Sequence, residues 1–165
     1  EPHLRWNSIP EIAKSAAARM KGQLSGHILD FQLPGDLPLV PSDYVLLEQV
    51  FINLLSNSAK YAPEKTRIVV CAGLEKESIH IRVKNQSPHV AEDELQNIFE
   101  KFHRVTRADK VIGTGLGLSI CKGIIEAHGG RIWAENLEDG FQFIFTLPLL
   151  LNGNLPETPK EVIDG

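Results

Sequence analysis

Two amide side chains lie four residues apart in an otherwise apolar stretch of the sequence. Asn53 and Asn57 occur within residues 43–63, DYVLLEQVFINLLSNSAKYAP, where apolar residues recur at helical spacing. Residues four apart share one face of a helix, and Lys60 and Tyr61 follow one turn later. Amide oxygens suit a hard cation and lysine suits phosphate, so this face could line a pocket. Buried asparagines can equally be satisfied by neighbouring backbone, and this stretch alone leaves both interpretations open.

A glycine run supplies the second candidate. Gly113, Gly115 and Gly117 occur in GTGLGL, immediately before a stretch that has the pattern of a helix. Free backbone amides and the positive end of the helix dipole converge at such a start, which favours binding of phosphate. A Rossmann dinucleotide loop would need a preceding strand, whereas residues 104–110 are charged, and a plain tight turn is another alternative. The asparagine helix in the same chain favours a nucleotide phosphate.

Three blocks follow one another in a characteristic order: the asparagine helix, Phe99-Glu-Lys-Phe102-His-Arg104, and the glycine run. In this order they resemble the asparagine box, the phenylalanine box and the second glycine box of sensor histidine kinases. The resemblance extends over about residues 5–150 and is closest to the catalytic domain of potassium-responsive (Kdp-type) sensor kinases. It implies a Bergerat-type ATPase fold that binds Mg-ATP and transfers the terminal phosphate to a histidine.

The resemblance also implies a role for each matching residue. Asn57 would hold magnesium through its amide oxygen, and Asn53 stands where related ATPases carry a glutamate that acts as general base. An amide cannot accept that proton at neutral pH, so hydrolysis should be poor and the phosphate remains available for transfer. Arg104 would reach the terminal phosphate, although a solvated loop arginine is an equal alternative. The implied catalytic residues are Asn53, Lys60 and Arg104. The implied nucleotide-binding residues are Asn57, Tyr61, Asn85, Gly113, Gly115, Leu116, Gly117 and Leu118, with Asn57 also the metal ligand.

The first glycine box of the family, Asp-x-Gly-x-Gly, is altered here. Asn85 stands in place of the aspartate that accepts the adenine amino proton, and Ser87 and His89 replace the two glycines. A neutral acceptor is weaker than a charged one, which predicts about a tenfold loss of affinity. The added side chains could also block the base or strain the turn. The alternative function is therefore a degenerate, non-catalytic signalling module with weak or no nucleotide binding.

None of the six histidines lies in the family's phosphoacceptor context and no pair has zinc spacing, so all six, including His128, are expected to be surface or packing residues. The acceptor histidine is expected on a dimerisation domain outside this sequence, and the second expected partner is a response regulator. The chain begins at Glu1 without methionine, so a fragment is expected: a monomeric, cytoplasmic portion of a membrane-associated parent. The net charge of −4 argues against nucleic acid.

The length of 165 residues fits one domain, expected over residues 1–150 with a tail at 151–165. Cys71 and Cys121 lie in apolar contexts and are expected to be reduced. The fold predicted is a two-layer α/β (α+β) sandwich, with a mixed, mostly antiparallel sheet covered by helices on one face. The predicted helices are 10–24, 43–63, 92–99 and 115–128. The predicted strands or extended pieces are 5–9, 27–33, 37–40, 66–72, 78–85, 131–135 and 141–147, and residues 101–112 are expected to form a loop.

Overall fold

The structure is a computed structural model that describes residues 1–100 and 117–149, together with the backbone of residues 106–107 and 110–111. Four helices and nine strands are assigned within this part. The helices are α1 (Ile9–Arg19), α2 (Lys21–Leu24), α3 (Tyr44–Tyr61) and α4 (Gly117–Ala127). The strands are β1 (Arg5–Asn7), β2 (Ile28–Gln32), β3 (Val40–Ser42), β4 (Arg67–Glu75), β5 (Ser78–Asn85), β6 (Thr106–Arg107), β7 (Lys110–Val111), β8 (Ile132–Leu137) and β9 (Gly140–Pro148).

A five-stranded sheet forms one layer of the fold. Its strand order is β2-β4-β5-β9-β8, with β2 and β4 parallel and every other neighbouring pair antiparallel. Strands β1 and β3 form a separate antiparallel pair that leads into α3, and β6 pairs with β7. The predicted mixed, mostly antiparallel sheet is therefore confirmed.

The helices all pack on one face of this sheet, which we call the inner face. Strand β5 shows the division between the faces, because Ile81 and Val83 are fully buried while Arg82 and Lys84 are half-buried. Side chains from all four helices join those inner-face residues in a single hydrophobic cluster. An antiparallel sheet can leave its other face towards water, and here this second face is the outer face.

Helix α3 crosses the centre of the inner face. Asp43 caps its start by accepting a hydrogen bond from the Leu46 amide at 3.1 Å, and Pro63 follows shortly after its last residue. Burial raises the pKa of Asp43, but the amides of His3 and Leu46 outweigh this effect and hold the pKa below its usual value. The predicted helix at residues 43–63 is confirmed to within two residues at each end.

Three predicted elements were wrong in detail. The extended piece expected over residues 37–40 is replaced by β3, Val40–Ser42. The helix expected over residues 10–24 is divided, because Met20 leaves helical geometry (φ −106°, ψ 18°) before α2 begins. The helix expected over residues 92–99 is a single 3₁₀ turn, Glu92–Glu94, followed by further turns. The three acidic residues of that turn favour a helix start, but most of the backbone bonds that follow run from i to i−3, as from Asn97 to Glu94 and from Glu100 to Asn97, both 2.9 Å. Within the expected loop at 101–112, strands β6 and β7 pair.

In the part of the chain that the structure describes, no helix is both long enough and apolar enough to cross a bilayer. Cys71 and Cys121 are both free thiols, as expected. Cys121 is fully buried, and this burial raises the pKa of its thiol to about 12.

Candidate functional site

Helices α3 and α4 are joined by polar contacts at three levels. Asn53 Nδ2 donates to the Gly117 carbonyl at 3.0 Å, at the start of α4. One turn further on, the Cys121 thiol points at the Val50 carbonyl with a separation of 3.8 Å. Beyond the other end of α4, His128 Nε2 accepts from the Asp43 amide at 3.0 Å. The two helices are therefore antiparallel, and Asn53 lies beside the first turn of α4.

Asn53 uses both ends of its amide in holding this arrangement. Its Oδ1 accepts from Gln49 Nε2 at 2.8 Å, while its Nδ2 donates to Gly117. The Gly117 carbonyl sets which way the amide of Asn53 faces, because only the nitrogen can donate to a carbonyl. Asn53 is thus oriented towards the helix start where a phosphate would meet free amides.

Asn57 differs from Asn53 in having an oxygen without a partner. The residue is 7% exposed, and its Oδ1 is buried without a hydrogen bond from any described group. Leaving a buried amide oxygen unsatisfied costs about 1–3 kcal/mol, so native proteins usually avoid it. An oxygen of this kind is the donor that a hard cation prefers, and magnesium needs few protein ligands when phosphates and waters supply the rest. The residue therefore fits the magnesium role that the family resemblance implies.

Asn85 ends β5 and is anchored on two sides. Its Nδ2 donates to Ser58 Oγ on α3 at 2.9 Å, and its Oδ1 accepts from the Ser87 amide at 2.8 Å. The residue is 4% exposed. A carbonyl oxygen has two lone pairs, so Oδ1 keeps the capacity for one further donor such as an adenine amino group. The side chain links the loop after β5 to the asparagine helix.

The loop after Asn85 is built without glycine. Neither Ser87 nor His89 has a positive φ, so the strain that their side chains could have caused in the turn is absent. His89 Nε2 lies 2.6 Å from the Leu137 carbonyl, and Asn136 pairs with both the amide and the carbonyl of Val90 at 2.9 and 2.8 Å. These side-chain bonds fasten the loop to β8.

The other predicted site residues occupy different environments. Lys60 is exposed in the last turn of α3 and Tyr61 is 5% exposed, each with an interaction partner. Gly117 is exposed at the start of α4, whereas Leu118 is 5% exposed and belongs to the hydrophobic core. The remaining predicted residues, Arg104, Gly113, Gly115 and Leu116, lie outside the described residues. Thus Asn53 and Gly117 meet at the α3–α4 seam, Asn57 lies one turn further along α3, and Asn85 is joined to α3 through Ser58.

Three participating residues were missed by sequence reasoning. Ser58 follows Asn57 directly and Gln49 precedes Asn53 by one turn, so helical spacing could have suggested both. His128 was assigned only a surface or packing role, and no short-range pattern predicts its bond to the amide of Asp43, 85 residues away. Among the described residues, no group of His, Cys, Asp and Glu side chains could hold a metal ion. The donor that we propose for a cation is instead an amide oxygen, Oδ1 of Asn57.

Comparison with known proteins identifies the family of the chain. Residues 42–151 match the family described as histidine kinase-, DNA gyrase B- and HSP90-like ATPases. The sensor protein KdpD of Escherichia coli (strain K12) is 39% identical over 144 residues, which is 87% of this chain and 16% of that protein. The chain therefore spans about a sixth of the length of this relative. The resemblance to Kdp-type sensor kinases is confirmed.

Solved structures extend the agreement to three dimensions. The nucleotide-free catalytic domain of histidine kinase ThkA superposes with a TM-score of 0.79 at 29% identity, covering 88% of this chain and 97% of that domain. Histidine kinase ThkA in complex with the response regulator TrrA superposes with a TM-score of 0.75 at 28% identity, covering 88% and 41% of the two chains. The predicted histidine-kinase type of ATPase fold is confirmed by these likenesses.

Proposed function

This chain belongs to the family of histidine kinase-, DNA gyrase B- and HSP90-like ATPases, and we propose that it is the ATP-binding catalytic domain of a two-component sensor histidine kinase. In this role it transfers the terminal phosphate of Mg-ATP to a histidine on a dimerisation domain outside this sequence. The proposal rests on the match to histidine kinase catalytic domains and on one structural observation, the buried and unpartnered Oδ1 of Asn57.

The described site residues would each bind a different part of Mg-ATP. Asn57 Oδ1 would hold magnesium, which when bound neutralises phosphate charge and orients the terminal phosphoryl group. Asn53 keeps the first turn of α4 against α3, so that its free amides face the phosphates. Asn85 would accept from the adenine amino group through its second lone pair. We assign Lys60, Tyr61, Arg104 and the glycine run Gly113–Leu118 to the phosphates by resemblance.

The same residues favour transfer over hydrolysis. Asn53 occupies the position of a hydrolytic general base, yet its oxygen already accepts from Gln49 and an amide has no basic site at neutral pH. A water beside the terminal phosphate would therefore lack a proton acceptor at this position. The isolated chain is expected to show neither autophosphorylation nor appreciable ATP hydrolysis.

The parent protein supplies the rest of the reaction in this proposal. Its partners are its own histidine-bearing dimerisation domain and a response regulator, and the parent is membrane-associated with this domain on the cytoplasmic side. The complex of ThkA with TrrA supports the second partner as a class. We further propose that residues 1–150 form the domain and that residues 151–165 follow it as a tail.

The alternative, a degenerate signalling module, gains no support from the comparisons, since the matched family is one of ATPases and the matched structures include catalytic domains of kinases. The altered loop at Ser87 and His89 is also free of the backbone strain that would have argued for it.

Isothermal titration calorimetry with Mg-ADP and Mg-ATP tests the proposal. Submillimolar, saturable binding that GTP does not reproduce is the expected result. A titration without heat at millimolar nucleotide, on a chain shown to be folded by circular dichroism, would instead restore the non-catalytic alternative.

A further inference from the structure

The outer face of the sheet carries two cations side by side on β5. Arg82 and Lys84 point away from the helices, since they alternate with the fully buried Ile81 and Val83. The strand register places Arg82 beside Cys71 of β4. Because all four helices contribute to the core on the inner face, none of them covers these cations.

The carboxylates near this face fall into two groups, since Glu135 is held by neighbouring side chains, whereas Glu138 and Asp139 line a second shallow cavity with Lys84. Glu75 lies 3.6 Å from His80 Nδ1, and Glu135 accepts from Trp133 Nε1 at 3.0 Å and from Gln142 Nε2 at 2.8 Å. The guanidinium of Arg131 stacks over the Trp133 ring at 5.1 Å from its centroid. These contacts order the rim of the face, and the two cations lie between this rim and β4.

Arg82 and Lys84 have no carboxylate within 4.0 Å in the part of the chain that the structure describes. Half-buried cations without counter-ions are unfavourable compared with the same groups in water or in an ion pair. Both line a shallow cavity of about 300 Å³, which Cys71 and Leu74 also line. Glu75 and His80 also belong to its lining, and its apolar part comes from Cys71, because the Leu74 side chain alternates onto the inner-face side opposite Ile79. Its chemistry suits an acidic segment that also carries an apolar side chain.

Residues 151–165 have that composition. They contain Glu157, Glu161 and Asp164 against a single lysine, and Val162 and Ile163 lie between the last two carboxylates. Charge and apolar content therefore match the cavity.

The connection to the sheet also places this segment within reach. The Leu149 amide donates to the Glu77 carbonyl at 2.9 Å, so the chain leaves β9 beside the β4–β5 turn. From Glu77 to Lys84 is seven residues of strand, about 23 Å at roughly 3.3 Å per residue. Glu157 is eight residues beyond Leu149 and can extend about 26–29 Å.

We propose that residues 151–165 bind the outer face of the sheet through their carboxylates, with Arg82 and Lys84 as the main contacts and Val162 or Ile163 against the cavity edge. The segment then screens the cations and occupies a surface that would otherwise accept an acidic segment of another protein. This inference concerns the outer face alone and is independent of nucleotide binding.

A disulfide trap tests this proposal directly, because Cys71 lines the cavity. Val162→Cys in the full chain, oxidised with diamide, should form an intramolecular disulfide with Cys71, since a docked segment has an effective concentration in the millimolar range. Cys121 is fully buried with a pKa raised to about 12, so it should not compete. Cys71→Ser is the matched control and should abolish the product, which peptide mapping by mass spectrometry identifies.

Reversing the charges of Arg82 and Lys84 shows whether the disulfide forms because the segment is bound to them or through random collision. Arg82→Glu with Lys84→Glu should slow the cross-link at least tenfold at low salt, and adding Glu157→Arg with Glu161→Arg should restore most of the rate. Raising the salt to 1 M should slow the parent trap, because the Debye length falls to about 3 Å. Equal rates in all charge variants, or disulfides formed only between chains, would overturn the proposal. Thermal unfolding of each variant shows that the sheet is intact.

Discussion

Replacing Asn85 by aspartate is predicted to tighten adenine nucleotide binding about five- to tenfold. A hydrogen bond to a charged acceptor contributes about 1.5–3 kcal/mol, whereas a neutral one contributes about 0.5–1.5. The difference of about 1–1.5 kcal/mol corresponds to that gain in affinity. The geometry allows the change, because the Ser87 amide at 2.8 Å donates equally well to a carboxylate. Ser58 Oγ, now an acceptor at 2.9 Å, can turn its hydroxyl to donate.

The same substitution should lower the stability of the nucleotide-free chain. Position 85 is 4% exposed, so the carboxylate is buried with only the two donors from Ser58 and Ser87. The expected loss is about 1 kcal/mol in the free energy of unfolding, which saturating ADP should more than recover. Calorimetric titration and thermal unfolding with and without ADP measure the two opposite effects.

Asn85→Ala is the matched control for this prediction. It removes the acceptor of the Ser87 amide, whose residue is 2% exposed, and should cost about 1–3 kcal/mol of stability with no gain in affinity. If Asn85→Asp folds and binds ADP no more tightly than the parent, Asn85 does not contact adenine. It would then serve only to tie the loop to α3.

Three further predictions concern stability and reactivity. Gly130→Ala should lower the free energy of unfolding by more than about 2 kcal/mol, on the order expected for overpacking, because a Cβ there would lie 1.8 Å from the Thr146 carbonyl oxygen. Gly22→Ala is its control: a Cβ there has open space and should raise the free energy of unfolding by about 0.5–1 kcal/mol, as measured by urea unfolding. Cys121 should resist iodoacetamide at pH 8 until the chain unfolds, and its contribution to stability should decline as the pH rises from about 9 to about 12, because the unfolded thiol ionises first. Asp43→Ala should lower the free energy of unfolding by about 1 kcal/mol at pH 7 through loss of the N-cap. Because the pKa of Asp43 is lower in the folded than in the unfolded chain, this difference should shrink as the pH falls below about 4, where the carboxyl becomes protonated. A pH-independent deficit would assign the effect to packing instead.

Local patterns predicted the elements that build the site. Apolar spacing, Asp43 and Pro63 defined α3, and alternation between residues 78 and 85 defined β5 with the bounds that the structure has. In both elements, propensity and burial favour the same conformation. The division of the first helix at Met20 was not predicted, because methionine and the preceding alanines all favour a helix.

The site was predictable in its residue types but not in its contacts. The spacing of Asn53 and Asn57 showed a shared face, yet only the packing of α4 against α3 shows that one amide is bonded at both ends and the other is not. The same holds for Asn85, whose partner Ser58 is 27 residues away. Such contacts depend on how distant elements pack, and neither propensity nor periodicity contains that information.

The central claim, that Asn57 Oδ1 is a magnesium ligand in a nucleotide site, is tested most directly by titrating ADP with magnesium and with EDTA into the parent chain and into Asn57→Ala. The parent should bind ADP at least tenfold more tightly with magnesium, whereas the variant should bind with the same weak affinity under both conditions. Because the variant removes an unpartnered buried oxygen, its melting temperature should stay close to that of the parent. A folded Asn57→Ala chain that keeps the full magnesium dependence would contradict the claim.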